Sequence, residues 1–208
     1  MSIEARLAAG LAAMGIELEP LAQATLLAYV RLIEKWNKVH NLTAVREPEQ
    51  MVVLHLLDSL SVLAHVAQAR TLLDVGSGAG LPGIPLAIAR PDLAVTLLDS
   101  SHKKAAFLRQ AKAELALANV EVVCERVEKW HPAAPFDVVV SRAFAEIAEF
   151  VEQSKHLVSA EGSLLAMKGV HPFDELARIP ATHRVENVVA LHVPTLDAQR
   201  HLVFLKAA

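Results

Sequence analysis

The chain is expected to fold as an α/β protein, with helices first and then a mostly parallel seven-stranded sheet carrying an antiparallel C-terminal strand. Three observations lead there. From Thr71 onward, short apolar or β-branched runs alternate with helical patterns, as in a parallel sheet covered on both faces. The first run ends in a glycine-rich bend, Gly76-Ser77-Gly78-Ala79-Gly80-Leu81-Pro82-Gly83, and a helix-like stretch follows from Ile84 to Ala89. Near the other end, Val185–Val193 and His201–Leu205 are separated only by residues 194–200, too few for a crossover helix. Those two strands should therefore be antiparallel neighbours.

Residues 1–70 read as a helical cap and residues 71–208 as the sheet domain, the two forming one compact unit. Leu26, Leu27, Val30, Ile33 and Trp36 recur at helical spacing, while Arg31, Glu34, Lys35 and Lys38 take the other face. His40-Asn41-Leu42-Thr43 breaks that helix. Pro48 opens another, whose stripe includes Val52, Leu56, Leu60 and Leu63. Strands are placed near Leu72–Val75, Val95–Leu98, Val120–Cys124, Phe136–Ser141 and Ser163–Lys168. A helix from His102 to Leu117, begun by the capping residues Ser100 and Ser101, buries Phe107, Leu108, Ala111 and Leu115.

Composition narrows the class. With 208 residues, 53% of them hydrophobic and 21% charged, the chain can bury a substantial core. The most apolar early window, Met51–Ala67, is interrupted by His55, Asp58, Ser59 and His65, so it cannot span a bilayer. No basic region followed by an apolar core and a cleavage site opens the chain, so a cytoplasmic protein is expected. The single cysteine, Cys124, reads as a buried inert thiol. The ten histidines form no H-E-x-x-H motif and no close Cys/His cluster, so no metal is expected. A net charge of −3 means that a nucleic-acid partner would need the basic residues gathered on one face.

The glycine bend carries the most chemistry. Residues without a Cβ can take positive φ and lie against a ligand, and the following helix aims free N–H groups and its positive dipole end at that spot. Such a turn suits a nucleotide-like cofactor, and two compete for it. The dinucleotide pattern G-x-G-x-x-G fails in the register of Gly76, where Leu81 takes the third position. It fits Gly78, Gly80 and Gly83, but leaves Asp74-Val75-Gly76-Ser77 between the strand and the motif. A carboxylate at Asp74 would repel a pyrophosphate, whereas it suits the cationic sulfonium and amino groups of S-adenosyl-L-methionine. Asp99, closing the next strand, can accept from the ribose hydroxyls of either cofactor. The favoured reading is a Rossmann-like, class I S-adenosylmethionine-dependent methyltransferase fold. A nicotinamide cofactor and a purely structural turn are the alternatives.

In a doubly wound sheet the ligand lies beyond the carboxyl ends of the strands. Gly76, Gly78 and Leu81 then face the methionine part and Asp99 the ribose, while Glu125-Arg126-Val127-Glu128 meet the adenine edge. The fourth strand ends in Ser141-Arg142-Ala143-Phe144, where the methyl group should emerge. Arg142 reads as a fork for the cofactor's carboxylate or a substrate phosphate, against a plain surface arginine. For Glu128 a solvated charge competes. Lys168, Arg200 and His201 are placed for phosphate contacts, with ordinary surface as the competing reading.

The acceptor is constrained by what is missing. Methylation of adenine's exocyclic amine usually comes with a polar-Pro-Pro-aromatic motif where this chain has Ser141-Arg142-Ala143-Phe144. Methylation of a pyrimidine carbon needs a cysteine nucleophile, and Cys124 is in the wrong strand. Guanine N7 has an in-plane lone pair and no proton, so in-line positioning alone would supply most of the acceleration. A small-molecule or protein acceptor stays open.

Three blocks resemble the bacterial small-subunit rRNA methyltransferase G family, also called glucose-inhibited division protein B. They are Trp36-Asn37-Lys38-Val39-His40-Asn41-Leu42-Thr43 with His55-Leu56-Leu57-Asp58-Ser59; Leu73-Asp74 through Gly83-Ile84-Pro85; and Ser141–Phe144 with Arg200-His201-Leu202-Val203. The resemblance implies methylation of guanine N7 in 16S rRNA, free or within a small-subunit precursor, using S-adenosyl-L-methionine and leaving S-adenosyl-L-homocysteine. It implies cofactor contacts at Gly76, Leu81, Val127, Glu128 and Arg142. It also makes the helical N-terminal part a cap presenting Asn37, Lys38, His40 and Asn41 to the RNA, with no membrane and no obligate protein partner.

Overall fold

The computed structural model describes residues 1–143 and 146–208. Helix α1 (Ile3–Met14) begins where the Ser2 hydroxyl accepts from the Ala5 N–H at 3.2 Å, and ends at Gly15 with φ 65°. Helix α2 (Pro20–His40) opens on Pro20 and ends at Asn41, whose φ of 47° breaks the helix where the sequence places the break. Its stripe of Leu26, Tyr29, Val30 and Ile33 is fully buried. The Tyr29 hydroxyl donates to the Ala79 carbonyl, which ties the helical cap to the glycine bend.

The apolar stretch after Pro48 is helical, but in three geometries. A short α3 (Pro48–Met51) passes into a π-helix over Val52–Leu57 and then α4 (Asp58–Leu60). The hydrophobic period anticipates the buried Val52, Leu56 and Leu60, whereas nothing in that period signals the π turn.

Seven strands follow: β1 (Thr71–Val75), β2 (Ala94–Leu98), β3 (Val120–Val123), β4 (Phe136–Arg142), β5 (Val158–Lys168), β6 (His183–Ala190) and β7 (His201–Ala207). Their spatial order is β3-β2-β1-β4-β5-β7-β6, and β7 runs antiparallel to both neighbours. The tail therefore pairs as expected, with β7 as the one reversed strand. The expected start of β5 near Ser163 is corrected to Val158, because a register shift between Phe136 and Val138 lengthens the pairing. Strand β6 stops at Ala190 rather than Val193, although the Leu191 N–H still donates to the Arg200 carbonyl at 2.8 Å.

Successive β1 residues point into two separate cores. Leu72 joins a cluster with Leu26, Ile33, Leu56, Phe107 and Leu108, so α2, the π-helix and α6 (His102–Glu114) cover that face. Leu73 and Val75 join Phe150 and Val151 of α7 (Ile147–Ser154) on the other. Helix α6 is capped by Ser101 alone and stops short of Leu117, where Ala116 turns left-handed at φ 53°. Cys124 is half-buried rather than buried, with its Sγ 3.4 Å from His102 Nδ1.

Candidate active site

The bend after β1 is built by its own backbone. The Gly76 and Ser77 N–H groups donate to the Leu98 carbonyl at 2.8 and 3.1 Å, and those of Gly80 and Leu81 donate to the Ser77 carbonyl at 2.7 and 3.0 Å. Gly76, Gly78 and Gly80 all take positive φ, at 69°, 60° and 89°, the conformation expected of these glycines. At Gly78 an added Cβ would find open space, its nearest neighbour being the Gly76 carbonyl oxygen 3.8 Å away. A cradle of bare backbone facing free space fits a flat ligand laid against the bend.

Asp74 does not face that space. It is fully buried, and its Oδ2 accepts from the Gly83 N–H at 2.8 Å, at the first residue of α5 (Gly83–Ala89). The expectation that α5 aims its N-terminus at the ligand is corrected accordingly: the helix start is spent on Asp74 and on the bend, with the Ile84 N–H donating to the Gly80 carbonyl at 2.8 Å. A Cβ on Gly83 would collide with Leu97 and lie 2.8 Å from Asp74 Oδ2, so this glycine is needed for packing. Burial pushes the Asp74 carboxyl up to about 7, opposed by the Gly83 N–H and the Arg142 charge. Its Oδ1 has no partner among the described residues.

Asp99 follows β2 directly and is buried beside the bend. Its Oδ2 accepts from the Gly78 N–H and its Oδ1 from the Ser101 N–H, both at 2.9 Å, with Lys104 Nζ 3.6 Å away. One carboxylate thus holds the bend, the start of α6 and the end of β2 in a single arrangement. A cavity of about 290 Å³ opens there, lined by Gly76, Asp99, Val127, Glu128 and Ala143 among others. Val127 is buried, and Glu128 pairs with Arg126; its own backbone amide and that arginine hold its carboxyl below the usual range.

Two expected cofactor residues lie elsewhere. Leu81 is in the hydrophobic core, 4% exposed, with its N–H committed to Ser77. Arg142 lines an adjoining cleft of about 350 Å³ together with Asp58, Lys168, Arg200 and His201. Its Nη1 donates at 2.9 Å both to Asp58 Oδ2 and to the Leu54 carbonyl in the π-helix. Arg200 Nε donates to Asp58 Oδ1 at 2.6 Å. Lys168 pairs with Glu175 at 2.7 Å, and the same Glu175 oxygen accepts from the Ile147 N–H at 2.8 Å. Ala143, at φ 54°, borders both the cavity and the cleft. Phe144 lies outside the described residues.

Of the residues expected to meet RNA, Asn37 is turned inward. It is buried, its Nδ2 donates to the Thr43 and Val45 carbonyls and its Oδ1 accepts from the Thr43 N–H, so it staples the loop after α2. Lys38 is exposed beside Glu34, His40 packs its ring on Trp36, and the Asn41 Oδ1 accepts from Arg46 at 2.8 Å.

The residue that sequence reasoning missed is Asp58. A carboxylate inside the otherwise apolar Met51–Ala67 window is the available signal; in the sequence it reads as an obstacle to membrane insertion and as part of a family block, with no site role assigned to it. His55, one turn before it, sits 3.0 Å by its Nε2 from Thr43 Oγ1. Burial, and then the Arg142 charge, pushes its ring down to about 4, so it stays neutral near pH 7.

Comparison with known proteins adds an independent line. Residues 22–203 match the family model described as rRNA small subunit methyltransferase G. A ribosomal RNA small subunit methyltransferase G of Methylobacillus flagellatus is 57% identical over 205 residues, covering 99% of this chain and 98% of that protein. One from Neisseria meningitidis serogroup A is 54% identical, covering 99% of each. Among solved structures, the O-methyltransferase TomG of Streptomyces achromogenes, in complex with SAM, superposes with a TM-score of 0.59 at 16% identity, over 100% of this chain and 99% of that one. At that identity the likeness shows a shared fold.

Proposed function

The chain belongs to the rRNA small subunit methyltransferase G family, and on that premise we propose that it methylates N7 of a guanine in 16S rRNA with S-adenosyl-L-methionine. The observation that carries this reading is the meeting of two clefts at Ala143: one framed by the glycine bend and Asp99, the other by Arg142, Lys168 and Arg200. When bound, S-adenosyl-L-methionine supplies an electrophilic methyl on a cationic sulfur. Each Asp99 oxygen accepts one backbone N–H and keeps lone-pair capacity for a ribose hydroxyl. Gly76 lines the cavity and Gly78 faces open space, so both give the methionine part an approach without side chains, while Val127 and Glu128 border the adenine side. Leu81 acts from the core, by fixing the bend.

On the acceptor side, Arg142 and Arg200 offer guanidinium donors to the guanine O6 edge or a neighbouring phosphate, and Lys168 offers a cation beside them. N7 bears no proton, so no residue need act as a general base, and acceleration comes from alignment. We assign the helical residues 1–70 an RNA-facing role through Lys38, His40 and Asn41, and omit Asn37 from that surface. The substrate is 16S rRNA, free or in a small-subunit precursor, and the setting is the cytoplasm; no helix among the described residues is long and apolar enough to cross a membrane.

The test is methyl transfer from labelled S-adenosyl-L-methionine to 16S rRNA from cells lacking this gene, with mass mapping of the product base. Incorporation at guanine N7 is expected. No incorporation into either naked RNA or small subunits overturns the reading. Activity that ignores RNA and salt would point to a small-molecule or protein acceptor instead.

A further inference from the structure

We propose that Asp58 is the counter-charge of the acceptor cleft: one buried carboxylate that aligns Arg142 and Arg200 and offsets their charge where the base becomes cationic. The inference rests on the guanine-N7 reading above.

The geometry is specific. Asp58 reaches β4 and the segment before β7 at once, with Oδ2 2.9 Å from Arg142 Nη1 and Oδ1 2.6 Å from Arg200 Nε. The Asp58 side chain is 2% exposed and each arginine side chain 23%. The carboxylate therefore lies behind the guanidinium groups, which keep an open side. Each arginine has one further bond: Arg142 Nη1 to the Leu54 carbonyl at 2.9 Å, part-buried, and Arg200 Nη1 to the Gln199 carbonyl at 2.8 Å, exposed. Among the described residues, Nε and Nη2 of Arg142 and Nη2 of Arg200 have no hydrogen-bond partner, which leaves planar donors for a base edge or phosphate.

The charge requirement follows from the reaction. The N7 lone pair forms a bond to the methyl carbon as the carbon–sulfur bond breaks, and that electron pair returns to sulfur. Sulfur becomes neutral, the purine becomes a cation, and no proton moves. Positive charge thus arrives beside two arginines. With Asp58 between them the trio carries a single net positive charge, and Lys168 is balanced by Glu175. Without Asp58 two uncompensated cations would face the forming purinium. That charge starts on the sulfonium, roughly 4 Å farther off, so at an effective dielectric near 20 its approach from about 11 to about 7 Å of an uncompensated cation changes a rate by about fourfold at full transfer.

Asp58 acts through the arginines, so it is a positioning residue, and its removal should separate turnover from binding. In Asp58→Asn, kcat on unmodified 16S rRNA is expected to fall about tenfold or more, the lost alignment of the two arginines adding to the fourfold electrostatic part. The dissociation constant for the same RNA should stay equal or tighten, because the cleft gains a positive charge, and S-adenosyl-L-homocysteine affinity should remain within about twofold of wild type, as Asp58 does not line that cavity. A variant with kcat within threefold of wild type, or with weakened RNA binding and intact kcat, overturns the proposal. If Asp58→Asn does not fold, wild-type enzyme decides. With S-adenosyl-L-homocysteine bound, and at a pH where the methylated base is cationic, it should hold RNA carrying 7-methylguanosine at the target within about threefold of the unmodified RNA. A loss beyond about 30-fold would show a cleft hostile to the cation and sink the idea. If wild type methylates no rRNA at all, the proposed function fails first, and that outcome is distinct from an active wild type with an equally active Asp58→Asn.

Discussion

Replacing Asp74 by Asn tests the buried carboxyl beneath the glycine bend. Asp74 is completely enclosed, and burial raises its carboxyl from the ordinary 3.8 to about 7. A group whose folded pKa lies above its unfolded one binds its proton more tightly in the folded state. Its stabilising contribution is whole below pH 4 and is lost as pH rises through 7. A shift of about three pH units corresponds to roughly 4 kcal/mol over that window, of which about 2 kcal/mol falls between pH 5 and pH 7. Asn mimics the protonated acid: its Oδ1 can still accept from the Gly83 N–H, and it does not titrate. Urea unfolding at a series of pH values from 5 to 8 should show wild-type stability declining relative to Asp74→Asn, with the gap changing by about 2 kcal/mol from pH 5 to 7. If the two profiles run parallel to within about half a kcal/mol, the carboxyl is not protonated in the fold and the reasoning fails. The same variant tests charge selection by Asp74 acting through space. Its affinity for S-adenosyl-L-methionine should drop at pH 8, while affinity for neutral S-adenosyl-L-homocysteine should not.

Gly78→Val forces a β-branched residue into φ 60° and fills the open space in front of the bend, so titration calorimetry should detect no S-adenosyl-L-homocysteine binding; unchanged affinity would remove the bend from the cofactor site. Asp99→Ala strips the Gly78 and Ser101 N–H groups of their acceptor and should weaken that binding by about 1–3 kcal/mol, whereas an unaltered dissociation constant would dismiss Asp99 as a ribose ligand. Asn37→Ala should cost about 1–3 kcal/mol of stability in urea unfolding because three loop hydrogen bonds vanish; a folded, fully stable variant with weakened RNA binding would restore Asn37 to the RNA surface.

The sheet was readable because the central parallel strands β1, β2 and β4 are buried on both faces along most of their length and so appear as nearly continuous apolar runs, broken by residues that bend the chain. The positive φ at Gly76, Gly78 and Gly80 could be inferred, since few other residues adopt that conformation at low cost. Asp74 shows where the same reading stops. Its position at the end of β1 was legible, but the direction of its side chain was not, because facing a ligand and facing Gly83 demand the same residue at the same place. Asn37 failed similarly: a polar residue near a helix end reads as surface until the following loop folds back and uses both ends of its amide. The π turn at Val52–Leu57 leaves the pattern of apolar residues almost unaltered and so has no signal of its own.

The two halves of the site differ in legibility because they differ in how far along the chain their contacts reach. The donor side is made by neighbours in sequence: the bend closes within a few residues of β1, and Asp99 reaches Gly78 across 21 positions, one strand–helix–strand unit. Such a unit repeats a local pattern and can be recognised as one. The acceptor cleft depends on pairs 84 and 142 positions apart, Asp58 with Arg142 and Asp58 with Arg200. No spacing rule announces such a pair: each arginine can be singled out by its place at a strand end, but not the carboxylate the two share. Folding the helical cap onto the sheet is what gives Arg142 and Arg200 a common anion and turns two ordinary arginines into one array. Residues 1–70 therefore reach the proposed acceptor cleft from within, through Leu54 and Asp58.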